Sequence, residues 1–146
     1  MPAVNFFTKE EKQRIKAAIA EAELSTSGEI RLHLDNRCRG EVLDCAAAWF
    51  SKLDMHKTEL RNGVLFYLAV NDRKFAILGD AGINAVTPDD FWDNIKEAML
   101  SDFKEERFAD GLCKGISMAG KQLKEHFPYQ SDDVNELSDE ISFGDE

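Results

Sequence analysis

Residues 63–84, GVLFYLAVNDRKFAILGDAGIN, decide the fold. The first eight, 63–70, are apolar or aromatic without a break, the length of a strand and with no polar face, as expected of a central strand covered on both sides. NDRK, 71–74, supplies turn chemistry, in which Asp72 has its place. FAIL, 75–78, then returns as an antiparallel partner. Beyond it, LGDAGINAVTPDDFWD, 78–93, sets Asp80, Asp89 and Asp90 around a glycine-containing loop.

Upstream, Thr8 and Glu11 have the spacing of a capping box, and Ile15, Ala18, Ile19 and Ala22 recur on one helical face, so a first helix runs to about Leu24. STSG breaks the chain. EIRLHLD, 29–35, alternates Ile30, Leu32 and Leu34 with Arg31, His33 and Asp35, a strand near a sheet edge whose polar face, His33 included, is expected in water. From Glu41, the stripe Val42, Cys45, Ala46, Trp49, Phe50 and Leu53 predicts a second helix packed on the sheet.

Downstream, Thr87-Pro88-Asp89-Asp90 reads as the start of a third helix burying Phe91, Ile95, Ala98 and Met99. A last helix spans 107–125 through Phe108, Leu112, Ile116, Ala119 and Leu123, with Pro128 just past its end. Strands joined by a helical crossover run parallel and a hairpin adds an antiparallel one. The expected class is therefore α/β, a three-layer α/β/α sandwich with a small mixed central sheet, one domain over 1–128. Residues 129–146 form an acidic tail, with seven acids and no base from Ser131 onward, and are expected to be disordered.

A net charge of -10 argues against nucleic acid and against an anionic membrane, both of which need a positive footprint; it favours cations and basic partners. Three cysteines, Cys38, Cys45 and Cys113, are an odd number with no C-x-x-C pair. They suggest neither a disulfide framework nor a zinc knuckle, and Cys45 and Cys113 are expected as small core residues. The N-terminus is charged where a signal peptide needs its apolar stretch, and no run approaches the ~18 apolar residues of a membrane span. Cytoplasmic localisation and no direct membrane insertion are the expectations.

The hairpin topology sends the loop entering the central strand and the loop leaving its partner to one end of the sheet. The first holds Asp54, His56, Glu59 and Asn62, the second Asp80, Asn84, Asp89 and Asp90, and the parallel strand brings Gly28 and Glu29 near. Carboxylates on adjacent loops repel unless solvated, protonated or bridged by a cation, and an all-oxygen set suits Ca²⁺, with Mg²⁺ as alternative. The candidate ligands are Asp80, Glu59, Asp54, Asn62, Asn84, Asp89 and Asp90, with Asp80 foremost because Gly79 and Gly82 let the backbone turn tightly beside it. Helix capping is the competing reading for Asp89 and Asp90, and simple solvation for Asp54 and Glu59. The nucleophile elbow, Walker loop, dinucleotide fingerprint and H-E-x-x-H are absent, so metal-assisted hydrolysis is the only enzymatic chemistry these residues invite.

The segments SGEIRLHL, NGVLFYLAVNDRKFAILGDAGIN and FKEERFADGLCKGI resemble the TPM domain, the module shared by thylakoid-lumen acid phosphatase-like proteins, a photosystem II repair protein and an accessory subunit of nematode acetylcholine receptors. The likeness spans residues 6–128. It implies an α/β/α sandwich, acid phosphatase activity in some plant members, and divalent cations, calcium especially, bound by some. Many relatives carry a signal peptide or a membrane helix, whereas this chain reads as a stand-alone domain. Three functions are expected in order: a cation-binding regulatory module whose metal braces two loops; a metal-dependent phosphatase acting on phosphomonoesters, with Arg61 the nearest cationic clamp and catalytic residues unassigned; and an adaptor whose acidic tail recruits a basic protein partner.

Overall fold

The computed structural model describes residues 2–129 and 140–144. Along the chain come α1 (Lys9–Glu23), β1 (Glu29–Asp35), α2 (Val42–Lys52), β2 (Gly63–Ala69), β3 (Lys74–Gly79), α3 (Ala81–Asn84), α4 (Asp93–Lys104), α5 (Phe108–His126) and β4 (Ser142–Phe143). The sheet order is β3-β2-β1-β4: β1 is parallel to β2, β2 antiparallel to β3, and β4 parallel to β1.

Strand alternation sorts the core into two layers. Ile30, Leu32, Leu34, Val64, Phe66, Leu68 and Ile77 face a large core built with Ile15 and Ile19 of α1, Ile95 and Met99 of α4, and Ile116 and Leu123 of α5. Leu65, Tyr67, Ala69 and Ala76 face the other way, toward α2 and Met55. All seven residues of β2 are buried, which explains why its sequence has no polar face. Each such aliphatic or aromatic side chain contributes roughly 1.5–3 kcal/mol on burial, so the hairpin and the three large helices hold one another in place. The capping box opening α1 is formed in both directions, with the Thr8 N–H donating to the Glu11 carboxylate at 2.9 Å and the Glu11 N–H to the Thr8 hydroxyl at 3.1 Å.

Four expectations need correction. The helix expected to start at Thr87 begins at Asp93, because the Thr87 hydroxyl donates back to the Ile83 carbonyl at 2.8 Å and closes the short α3 instead of capping α4. The acidic tail is not wholly apart from the domain: residues 140–144 return to the sheet, where β4 pairs with β1 at His33↔Ser142 and Leu34↔Phe143; the remaining tail residues, 130–139 and 145–146, lie outside the described residues. Cys38 and Cys45 are joined in a disulfide, Cα atoms 6.1 Å apart, pinning the segment after β1 to the first turn of α2. Chain spacing alone could not show that the connection between β1 and α2 turns so as to bring the two thiols together. Cys113 is the free cysteine among the described residues, half-buried against the large core. Finally, His33 is fully buried, because α2 and β4 cover the face of β1 that its alternation assigns to water.

Candidate functional site

The two loops meet as the topology requires. The Asp80 N–H donates to the Gly63 carbonyl at 3.0 Å, the Gly82 N–H to the Arg61 carbonyl at 2.8 Å, and the Glu29 N–H to the Asn62 carbonyl at 3.3 Å, so the entry to β2, the exit from β3 and the start of β1 form one junction. Gly82 is obligatory for that approach, since a Cβ there would collide with the carbonyl oxygens of Leu60 and Arg61.

Asp80, 6% exposed, is the polar centre of the junction. Arg61 reaches it with a bidentate fork, Nε donating to Oδ2 at 2.7 Å and Nη2 to Oδ1 at 2.9 Å, and the Ala81 N–H donates to Oδ1 at 2.7 Å, which makes Asp80 the N-cap of α3. The ion pair in turn raises the Arg61 pKa. Arg61 occupies the left-handed region, φ 51°, and its side chain is about half exposed. The loops are therefore joined by a cation, but it is one the chain carries itself. A carboxylate with both oxygens already engaged by a guanidinium and a backbone amide does not fit the role of leading ligand to a metal ion.

The other candidates divide into two groups. Asn62 is buried, its N–H donating to the Thr58 hydroxyl at 3.2 Å and its side-chain amide to the Ser27 hydroxyl at 3.4 Å. Asn84 stays at the junction through a bond from its amide to the Gly79 carbonyl at 3.2 Å. Asp54, Glu59, Asp89 and Asp90 are exposed around the rim, and Asp54 lies 3.2 Å from the Lys57 ammonium. Among the described residues, no three acidic, histidine or cysteine side chains stand together in a way that would hold an ion.

At the opposite end of the sheet lies a constellation that alternation in β1 could not reveal. Asp35 accepts from His33 Nε2 at 2.8 Å, from the Tyr67 hydroxyl at 2.5 Å, and from Trp49. His33 stacks on Trp49 at 3.8 Å between ring centroids, and its Nδ1 lies 2.8 Å from the Ser142 hydroxyl. With Asp35 accepting from Nε2–H, a neutral imidazole leaves Nδ1 to accept the Ser142 proton. Burial pushes the Asp35 carboxyl up, but the hydrogen bonds from His33, Tyr67 and Trp49 outweigh it and hold its pKa below the ordinary carboxylate value. Burial, with Asp35 as hydrogen-bond partner, raises the Tyr67 phenol far above its usual pKa. The hydroxyl–imidazole–carboxylate order resembles a hydrolytic triad, yet the imidazole has no exposure and Trp49 covers it, so the contacts serve packing. The partners come from residues 49, 67 and 142, and the one local signal was an aspartate two residues after a histidine on a strand.

Comparison with known proteins places these features in a family context. The profile of the TPM domain matches residues 2–122. Among solved structures, the BA42 protein from the psychrophilic bacterium Bizionia argentinensis superimposes with a TM-score of 0.91 at 47% identity, covering 96% of this chain and 97% of that one. The N-terminal domain of a protein from P. gingivalis gives 0.68 at 17% identity, covering 86% and 83%, and that of the cg2496 protein from Corynebacterium glutamicum 0.64 at 14%, covering 93% and 80%. The latter two share the fold alone. No curated protein sequence matches the chain. Among the described residues no helix is long and apolar enough to cross a membrane. The Cys38–Cys45 bond gives no support to the expectation of cytoplasmic localisation, since disulfides persist mainly in oxidising compartments.

Proposed function

Because the chain belongs to the TPM domain family, we propose that it is a binding and regulatory module rather than a hydrolase, and that the acidic junction is its ligand-facing end. The observation that carries this reading is the Arg61–Asp80 fork: it locks the two loops without outside help and leaves the exposed carboxylates of Asp89 and Asp90 outside the clamp. A divalent cation, calcium ahead of magnesium, is the ligand class that all-oxygen donors and the charge of -10 favour. Because the rim is open and Asp80 is engaged, affinity is expected in the weak range of roughly 10⁻⁴–10⁻³ M. Titrating calcium into the metal-free protein should shift backbone amide signals near Asp89 and Asp90 and leave those of Ala81 and Gly82 in place, with Asp89→Asn and Asp90→Asn together reducing the response. No amide shift up to ~10 mM calcium would remove the cation from the account.

Phosphomonoester hydrolysis stands second. That chemistry calls for a cationic group available to hold a transferring phosphoryl oxygen. Arg61, the arginine nearest the acidic loops in sequence, already directs two donors to Asp80. Turnover by purified protein that disappears with Asp80→Ala would reverse the ranking.

A further inference from the structure

The outer edge of β1 reads the strand laid on it position by position. The Glu140 carboxylate lies 3.0 Å from the Lys16 ammonium and acts electrostatically on Arg31. Ile141 packs against the large core. Ser142 meets His33, whose ring is already fixed by Asp35 and Trp49. The Phe143 ring packs against the same core with the Lys12 ammonium 5.4 Å above it. Gly144 donates its N–H to the Leu34 carbonyl at 2.9 Å, and a Cβ at that position would collide with Asp35 Oδ1. Five successive residues thus meet five different demands, while the ladder holding them is only two residues long.

We propose that this edge is a strand-docking groove selective for an acid–aliphatic–serine–aromatic–glycine segment, filled in cis by residues 140–144, and that its occupant in trans is the same segment of a second copy of this chain. Strand addition to a sheet edge takes affinity from main-chain bonds and specificity from alternate side chains, and here the selective contacts are built into the domain rather than into the tail. A second copy supplies the one segment known to meet all five. In cis the tethered segment has the advantage of effective concentration, so exchange needs high protein concentration. Two chains of charge -10 repel, so added salt should promote it.

The test uses the full chain carrying Gly144→Val, which ejects the cis strand, and a labelled peptide of residues 138–146, SDEISFGDE, as the second copy's segment. Amide spectra unchanged outside the β1 edge show that the variant folds; Phe143→Asp serves as an independent ejecting variant. The peptide is expected to bind either variant at least tenfold tighter than wild type, and a Ser142→Ala peptide to lose most of that affinity. Wild type should form a dimer fraction that grows with concentration and salt and that Gly144→Val abolishes. Peptide binding equal to all three proteins, or to none, overturns the groove; wild type that stays monomeric at millimolar concentration and high salt overturns the second copy as its occupant.

Discussion

Asp80 and Asp35 stand at opposite ends of the sheet, each ringed by donors, yet they are held in different ways. Asp80 takes a guanidinium fork from a half-exposed arginine and an N–H from the helix it caps. Asp35 gathers three side chains from β1, α2 and β2 within an aromatic layer, and through His33 it also reaches β4. The difference teaches that a carboxylate clamping two adjacent loops is a local device, whereas one at the centre of a buried network ties four elements at once.

The comparison breaks most readily at Asp35. Asp35→Ala strands an imidazole, a phenol and an indole, and should lower unfolding free energy by about 2–3 kcal/mol in chemical denaturation, since a hydrogen bond to a charged group is worth about 1.5–3 kcal/mol and the network relaxes only in part. A loss below about 0.5 kcal/mol, the scale of an ordinary surface change, would erase its special standing. Asp80→Ala is expected to cost less, about 1–2 kcal/mol, because a cap is lost while the guanidinium turns to water; an effect exceeding that of Asp35→Ala would invert the comparison.

Acid sharpens it further. The folded pKa of Asp35 lies below its unfolded value, so its contribution is fully present above the unfolded pKa of about 4 and is lost as pH falls through the lower folded value. Denaturation midpoints followed below about pH 4 should fall less steeply in Asp35→Asn than in wild type. Parallel curves would mean that the carboxylate is not held in its charged form. The smallest effect belongs to Asp89→Asn. Asp89 is exposed and α4 starts four residues later, so stability should stay within about 0.5 kcal/mol of wild type.

The sandwich was legible because its signals are local. The unbroken apolar run of β2, the NDRK turn and the capping box at Thr8 each act within a few residues, and the parallel and antiparallel pairings follow from them. The convergence of the two loops was legible for the same reason, since a hairpin fixes where its ends lie. What escaped was long-range. Arg61 was noted as the nearest cation, but its left-handed backbone, which brings the guanidinium onto Asp80, leaves no mark in composition. The burial of His33 depends on Trp49 and on Ser142, 109 residues away, and alternation along β1 carries no information about what covers it. Thr87 misled because an N-cap residue before proline and two acids is a strong helix start, yet its hydroxyl had a closer acceptor in Ile83.

The central claim is that an internal cation, Arg61, joins the loops around Asp80. Its most direct test is amide exchange of Ala81 and Gly82 in full-length protein held in chelator, before and after calcium. Ala81 donates to the Asp80 carboxylate and Gly82 to the Arg61 carbonyl, so both should be protected with no metal present, unchanged by calcium, and exposed by Arg61→Gln. If they exchange freely in chelator and gain protection only when calcium is added, a metal and not Arg61 holds the junction together.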